Sequence, residues 1–381
     1  MTRSFSDGAA AGGPIIDGFE VTLVELPVST VRSHGSGDVA GAVRNVVLKL
    51  KAGGLTGWGE ASPWSVFTGT AEAAAAALER YLCPMVMGRS PGRIAALMRE
   101  ADRVLVGHAE AKAALEMALL DLAGQAAGCS AAELLGGVVR ESIPLSVSLA
   151  DPDLDADMAL AERLLADGVR IFKIKTGFMD HPAELRRLER LRSIMPEDAR
   201  LRVDYNQGLQ PHEAKPRLRD LDGFGFDFIE QPVARPHLDS MAALTRSLAT
   251  PILADESVFS PNDAFEVARR KAADVVSIKI MKTGGILRGK EVAAICEAAG
   301  MACYGGDMFE SGLAHAAGTH LVATTPNITL GCEFYHATYY LVEDLLTEPF
   351  PVREGRVHVP AGPGLGVAVD EDKLKRYAVG R

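Results

Sequence analysis

The segments IFKIKT (171–176), LRVDYN (201–206), FDFIEQP (226–232), PILADE (251–256) and VVSIKI (275–280) decide the fold. Each is a short apolar or β-branched run with a charged residue at or near its end, and helical segments separate them. That alternation is the signature of βα units in a parallel sheet. IPLSVSLA (143–150) precedes the series, and ACYGG (302–306) and ITLGCE (328–333) continue it. The strand starts lie about 25 to 30 residues apart, one strand-helix-loop unit each. A closed, TIM-like (β/α) barrel over residues 143–346 fits this spacing better than an open sheet, so the fold class is α/β.

Upstream, FEVTLVELPV, VRNVVLKLKAG and LTGWGEASP read as three strands, with Gly53-Gly54 turning between the last two and a polar loop over 29–41 between the first two. Helical runs follow at 71–82 and 110–126, the second stopped by Gly128. Residues 19–142 therefore form an α+β domain preceding the barrel. FPVREGRVHVPAGPGLG is too rich in Pro and Gly to be a ninth unit, so 347–381 is expected to fold back on that first domain. The Ser/Gly/Ala-rich residues 1–18 read as a loose tail without signal-peptide character.

Composition narrows the class of partner. A net charge of −10 disfavours a phosphate backbone, which needs clustered Lys and Arg, so no nucleic-acid partner is expected. No run has the roughly 20 apolar residues of a membrane helix. The five cysteines lack any C-x-x-C pair, which fits reduced thiols in a cytoplasm and no cysteine zinc site.

The chemistry sits at the strand ends. Lys173 and Lys175, Asp204, Glu230, Asp255 and Lys279 close five consecutive strands, and in a parallel barrel those ends share the rim where active sites are built. Asp204, Glu230 and Asp255 would repel one another if bare, and one divalent ion removes the conflict. An all-oxygen set suits Mg2+ or Mn2+. The competing reading is a carboxylate set neutralised by the rim lysines. Glu256 could also replace Asp255 as a ligand.

Lys173 and Lys175 share a strand face, and two close ammonium groups are expected to depress each other's pKa. Lys175 is assigned to proton transfer and Lys173 to substrate carboxylate binding. Lys279, from four strands further round, is expected to face Lys175. Asn206 shares the face of Asp204 and either orients a ligand or closes a loop turn. Asp307, Glu310 and Glu333 follow the last two strands as substrate contacts or supporting partners. His34 could titrate usefully, whereas His315 reads as a structural histidine.

KIK, DYNQ, IEQP, ADES and SIKIMKTGG, in that order and at barrel spacing, resemble the enolase superfamily, and within it the muconate lactonizing enzyme subgroup. The likeness runs from GWGEASP through AKAALEMALLDLAG to GPGLG. It implies a capping domain whose loop, about Thr30 to Val39, closes over the barrel and selects a small-molecule carboxylate. It also implies a Mg2+ or Mn2+ ion stabilising an enediolate, chemistry known for this superfamily, and an assembly of identical subunits.

YGGDMFESG, GCEFYH with Glu333, and VRSHG with Arg32 and His34 are similar to the cycloisomerases of the subgroup. The expected reaction is closure of cis,cis-muconate or a substituted muconate to a muconolactone, with Arg32 and His34 recognising the distal carboxylate. The alternative is a racemase or epimerase of an amino-acid derivative, or a dehydratase, using the same two lysines. GCEFYH lacks the Asp-x-Asp of dipeptide epimerases.

Overall fold

The structure is a computed structural model that describes residues 13–380. Its first sheet is antiparallel and carries β1 (Ile16–Pro27), β4 (Ala42–Ala52) and β5 (Leu55–Ala61) in the order β1-β4-β5. The tail expected over 1–18 lies outside the described residues for 1–12, and β1 starts at Ile16, earlier than Phe19. Ile16 is buried, pairs with Ala52 across a bulge, and donates its N–H to the Arg89 carbonyl, so local contacts order it. Gly53 and Gly54 make the β4-β5 turn with φ of 58° and 83°, the left-handed region that glycine occupies without strain.

The segment expected as a loop over 29–41 contains a small hairpin, β2 (Arg32–His34) with β3 (Gly37–Val39). Three-residue strands carry too little pattern to show in a sequence.

Eight parallel strands follow: β7 (Ser146–Leu149), β8 (Ile171–Lys175), β9 (Arg200–Asp204), β10 (Ile229–Glu230), β11 (Ile252–Ala254), β12 (Val275–Ile278), β13 (Ala302–Gly305) and β14 (Ile328–Cys332), neighbours in chain order. A parallel bridge from Leu145 to Cys332 joins the two ends of the row. The α/β barrel is thus as expected, with one correction at its start. IPLSVSLA does not form a single strand. Ser142–Pro144 is β6, which pairs with β16 (Arg356–His358) of a separate hairpin with β15 (Val352–Arg353). Pro144 offers no N–H to a ladder, and the chain changes sheets there.

The helix Ala109–Ala127 packs on β5 at van der Waals limits: a Cβ at Gly59 would fall 1.9 Å from the Ala114 carbonyl oxygen. That approach explains the glycines in GWGE. Gly128 ends the helix at φ 67°. Two buried glutamates then fasten this domain to the barrel. Glu60 of β5 accepts hydrogen bonds from the Ser311 N–H and hydroxyl and from the Ala314 N–H, at the start of the helix Gly312–Ala323. Glu116 accepts from the N–H groups of Ile286 and Leu287, the first turn of the helix Ile286–Ala298. Both accept from donors that a helix N-terminus otherwise leaves unpaired. Two hydrogen bonds tie the C-terminal segment to the first domain: Leu365 donates its N–H to Asp121, and Val379 donates to the Leu23 carbonyl of β1.

The five cysteines are unpaired thiols. No helix among the described residues is long and apolar enough to cross a membrane.

Candidate active site

Because β8 to β12 run in parallel, their C-terminal residues converge. Lys173, Lys175, Asp204, Glu230, Asp255 and Lys279 are all buried at that end. Lys173, Lys175 and Lys279 line one small pocket with Asn206 and Glu333, and its free volume is about 30 Å³. A charged set this dry is stable only if each charge has a partner.

The partners form two groups. Lys175 Nζ donates to Asp204 Oδ2 at 2.6 Å and to Asn206 Oδ1 at 3.0 Å, and Asn206 Nδ2 donates to Glu256 Oε1 at 3.2 Å. Lys279 Nζ lies 2.7 Å from Asp255 Oδ2, while Lys282 Nζ lies 2.7 Å from Oδ1 of the same carboxylate. Lys173 Nζ reaches Glu333 Oε2 at 2.7 Å, Glu230 Oε2 at 3.0 Å and Asp204 Oδ2 at 3.3 Å.

The mutual depression expected of Lys173 and Lys175 is corrected at Lys173. Burial alone would lower its pKa, but Glu230, Glu333 and Asp204 together hold it well above the ordinary value. Glu256 does not turn away from the site as strand alternation suggests. It is buried beside Asn206, and burial with the charge of Asp255 pushes its pKa up to about 8.

Whether the donor set fits a metal ion depends on what the lysines leave unsatisfied. They take oxygens of Asp204 and Asp255, yet Glu230 Oε1 is buried with no hydrogen-bond partner. Burial, then the like charge of Asp204, pushes the Glu230 pKa up to about 8. An orphaned carboxylate oxygen among two other carboxylates fits a hard cation that is held by oxygen alone. A different group, Asp307, Glu310, His315 and His336, also brings possible ligand atoms within 4.8 Å of one another. There, hydrogen bonds already join both histidines to Asp307.

The substrate-side expectations divide. His34 lines the pocket beside Trp64, ring centroids 5.1 Å apart. Burial, then Lys175 and Arg32, holds its pKa well below the ordinary value, so the ring is neutral. Arg32 is not among the lining residues. Its Nη2 donates to the Ser148 carbonyl at 2.7 Å and its guanidinium lies over the Tyr335 and Tyr340 rings. Glu310 is likewise absent from the wall, its carboxylate turned to the Met308 N–H. Glu333 does line the pocket, but Lys173 and the Ser148 hydroxyl hold its two oxygens. His315 is buried in its helix with Nε2 on Asp307.

Sequence reasoning missed Lys282, which holds Asp255 from behind the pocket, and the pocket-lining aromatics Trp64, Phe67 and Phe309 and His336. Lys282 stands three residues after Lys279 on one helical turn, a spacing that was legible. The aromatics lie on loops, where no periodicity marks a side chain's direction.

Comparison with known proteins agrees with this geometry. The family described as "Mandelate racemase / muconate lactonizing enzyme, N-terminal domain" matches residues 20–136, and "Enolase C-terminal domain-like" matches 156–373. The chain belongs to the muconate lactonizing enzyme subgroup of the enolase superfamily. A chloromuconate cycloisomerase of Pseudomonas putida is 34% identical over 95% of this chain and 98% of its own. An L-Ala-D/L-Glu epimerase of Bacillus subtilis is 35% identical over 82% of this chain and 86% of its own. Among solved structures, a muconate cycloisomerase from Azorhizobium caulinodans is 46% identical with a TM-score of 0.85, covering 97% of this chain and 99% of its own. A muconate lactonizing enzyme from Pseudomonas fluorescens, complexed with muconolactone, is 33% identical with a TM-score of 0.93, covering 97% of this chain and all of its own. In this subgroup the fold is the TIM-like barrel with its cap.

Proposed function

We propose that the chain is a metal-dependent isomerase that closes cis,cis-muconate, or a substituted relative, to a muconolactone. Residues 19–142 with 347–381 serve as the cap and 143–346 as the catalytic barrel. The observation that carries the reading is that Lys175 and Lys279 line one pocket, each hydrogen-bonded to a different carboxylate of the candidate metal set. The cycloisomerases among its relatives support it.

Asp204, Glu230 and Asp255 would hold one Mg2+ or Mn2+. When bound, the ion supplies fixed positive charge that stabilises the negative charge developing on the substrate carboxylate beside the reacting carbon. One substrate carboxylate oxygen forms the C–O bond of the ring, and the displaced π electrons move to the carbon beside the other carboxylate. Lys175 Nζ delivers a proton to that carbon and regains one from water. The dianion plus one proton gives the lactone monoanion, so the step balances without oxidant or reductant. Asn206 holds Lys175 in place through its side-chain oxygen. Lys279 places a second ammonium on the same pocket, and preorganised charge of this kind is worth most where water is excluded.

The cap loop is shut. Thr30 donates to Asp151 at 2.5 Å and Ser33 N–H to the Ala150 carbonyl at 2.8 Å. A free volume of about 30 Å³ holds roughly a single water molecule. Substrate therefore enters when the loop over 30–39 lifts, and its return dries the site. An assembly of identical subunits is part of this proposal.

The test is incubation of purified enzyme plus Mn2+ with cis,cis-muconate in deuterated water. Consumption of the diene with one deuterium at the carbon beside the free carboxylate is expected. Untouched muconate, together with α-proton exchange in a dipeptide or N-acylamino acid, would overturn the reading in favour of epimerisation.

A further inference from the structure

The proposed substrate has two carboxylates, and the pocket's expected partner for the distal one is turned away. Arg32 spends Nη2 on a backbone carbonyl and is not on the pocket wall. His34 is on the wall but has no carboxylate behind it, and burial, then its positive neighbours, keeps it neutral.

His336 is built differently. It begins the short helix His336–Tyr339 just beyond β14, and its ring lines the pocket. Its Nδ1 donates to Asp307 Oδ2 at 2.7 Å, which leaves Nε2 without a hydrogen bond among the described residues. Asp307 is itself buried and also accepts from His315 Nε2 at 3.2 Å. The rings of Tyr335, Phe309 and Tyr340 pack around the imidazole with centroids 4.1, 5.3 and 5.4 Å away, so its orientation is fixed.

We infer that His336, held by Asp307, is the group that binds the substrate carboxylate remote from the metal ligands, taking up a proton as the substrate enters. The inference rests on the dicarboxylate reading above.

The charged and titratable groups around His336 are Asp307 and Glu310 from the segment after β13, His315 from the helix Gly312–Ala323, and Arg32 from β2. Burial lowers the pKa of His336, Asp307 works to raise it, and His315 and Arg32 oppose. The net effect is a neutral ring in the free enzyme. Burial and the charge of Asp307 push Glu310 well up, so it adds no negative charge. An arriving carboxylate puts a second negative group on the imidazole, on the Nε2 side. Two flanking carboxylates favour the imidazolium, and Nε2–H then donates a charge-assisted hydrogen bond. Asp307 is a positioning residue: it fixes the tautomer and balances the new charge.

The experiment is calorimetric titration of the Mg2+-loaded enzyme with adipate, a saturated six-carbon dicarboxylate, and with hexanoate, its monocarboxylate counterpart. Each titration is run at pH 8 in two buffers of different ionisation enthalpy. Expected for the unaltered enzyme is uptake of close to one proton with adipate and none with hexanoate. In His336→Gln and Asp307→Asn the uptake should vanish and adipate affinity fall at least tenfold, while hexanoate affinity stays within threefold, which also shows that the variants are folded. Absence of adipate binding, binding without proton uptake, or equal loss of both ligands would overturn the inference. Failure of the cycloisomerase reading looks different. Muconate would then go unconverted while the adipate-linked proton uptake persists.

Discussion

Lys282 Nζ sits 2.7 Å from Asp255 Oδ1, on the other oxygen from the one that Lys279 holds, and it also donates to the carbonyls of Asp255 and Ser277. Burial lowers the Lys282 pKa against the pull of Asp255, and the buried pair holds one oxygen of the carboxylate in place. Removing one partner of a buried ion pair costs about 3–5 kcal/mol where the other is left uncompensated, and because Lys279 still holds Asp255 Oδ2 the loss should fall below that range. Lys282→Met should therefore lower the melting temperature and weaken Mn2+ binding together. A variant with unchanged stability and unchanged metal affinity would show that Lys282 merely fills space.

Glu230 supplies the orphaned oxygen of the candidate metal set. Glu230→Gln keeps its volume and removes its charge. The expected result is loss of Mn2+-induced thermal stabilisation, which at a ligand concentration of 100 Kd is worth about 2.7 kcal/mol in the parent, with an apo melting temperature close to that of the parent. Undiminished stabilisation by Mn2+ would place the ion elsewhere.

The two lysines on the pocket should separate in kinetics. Lys175→Ala removes the proposed proton donor, and proton transfer by a placed side chain is worth about 10²–10⁴ in rate. A drop of that size in kcat, with deuterium incorporation lost, is expected. Lys279→Ala should cost less, since that ammonium supplies charge rather than the transferred proton. The reverse order would exchange their roles.

Glu116 gives a pH prediction away from the metal ligands. Burial pushes its pKa up to about 7 from an ordinary value of 4.5. A carboxyl raised on folding contributes stability that is fully present below about pH 4.5 and is lost as the pH rises through about 7. The shift corresponds to at most about 3 kcal/mol. Glu116→Gln keeps an oxygen for the Ile286 and Leu287 N–H groups, so it should gain on the parent between thermal melts at pH 5 and pH 8. A variant that falls further behind at pH 8 would show that the ionised carboxylate is what the helix start prefers.

Much of this site was legible because barrel geometry turns a one-dimensional pattern into a place. A charged residue at the end of an apolar strand must lie on the rim, so Lys175, Asp204, Glu230, Asp255 and Lys279 could be gathered from five separate runs. What strand pattern cannot supply is the direction of a side chain on a loop or its competition for partners. Arg32 and His34 are two residues apart on one short strand, yet a carbonyl and two tyrosine rings claim the first while the second reaches the pocket. Lys173 looked like half of a repelling pair and is instead surrounded by three carboxylates.

The amino-acid sequence by itself determined the barrel, its order and the residues at its mouth, because alternation, strand length and spacing are local properties that the parallel topology converts into a shared rim. Only the tertiary structure decided which charges pair, that Lys282 backs Asp255, and that Asp307 aims His336 into the pocket. Those contacts join segments 27 to 29 residues apart through packing in a dry interior. There the partner a charge finds depends on which side chains the folded chain brings within about 3 Å.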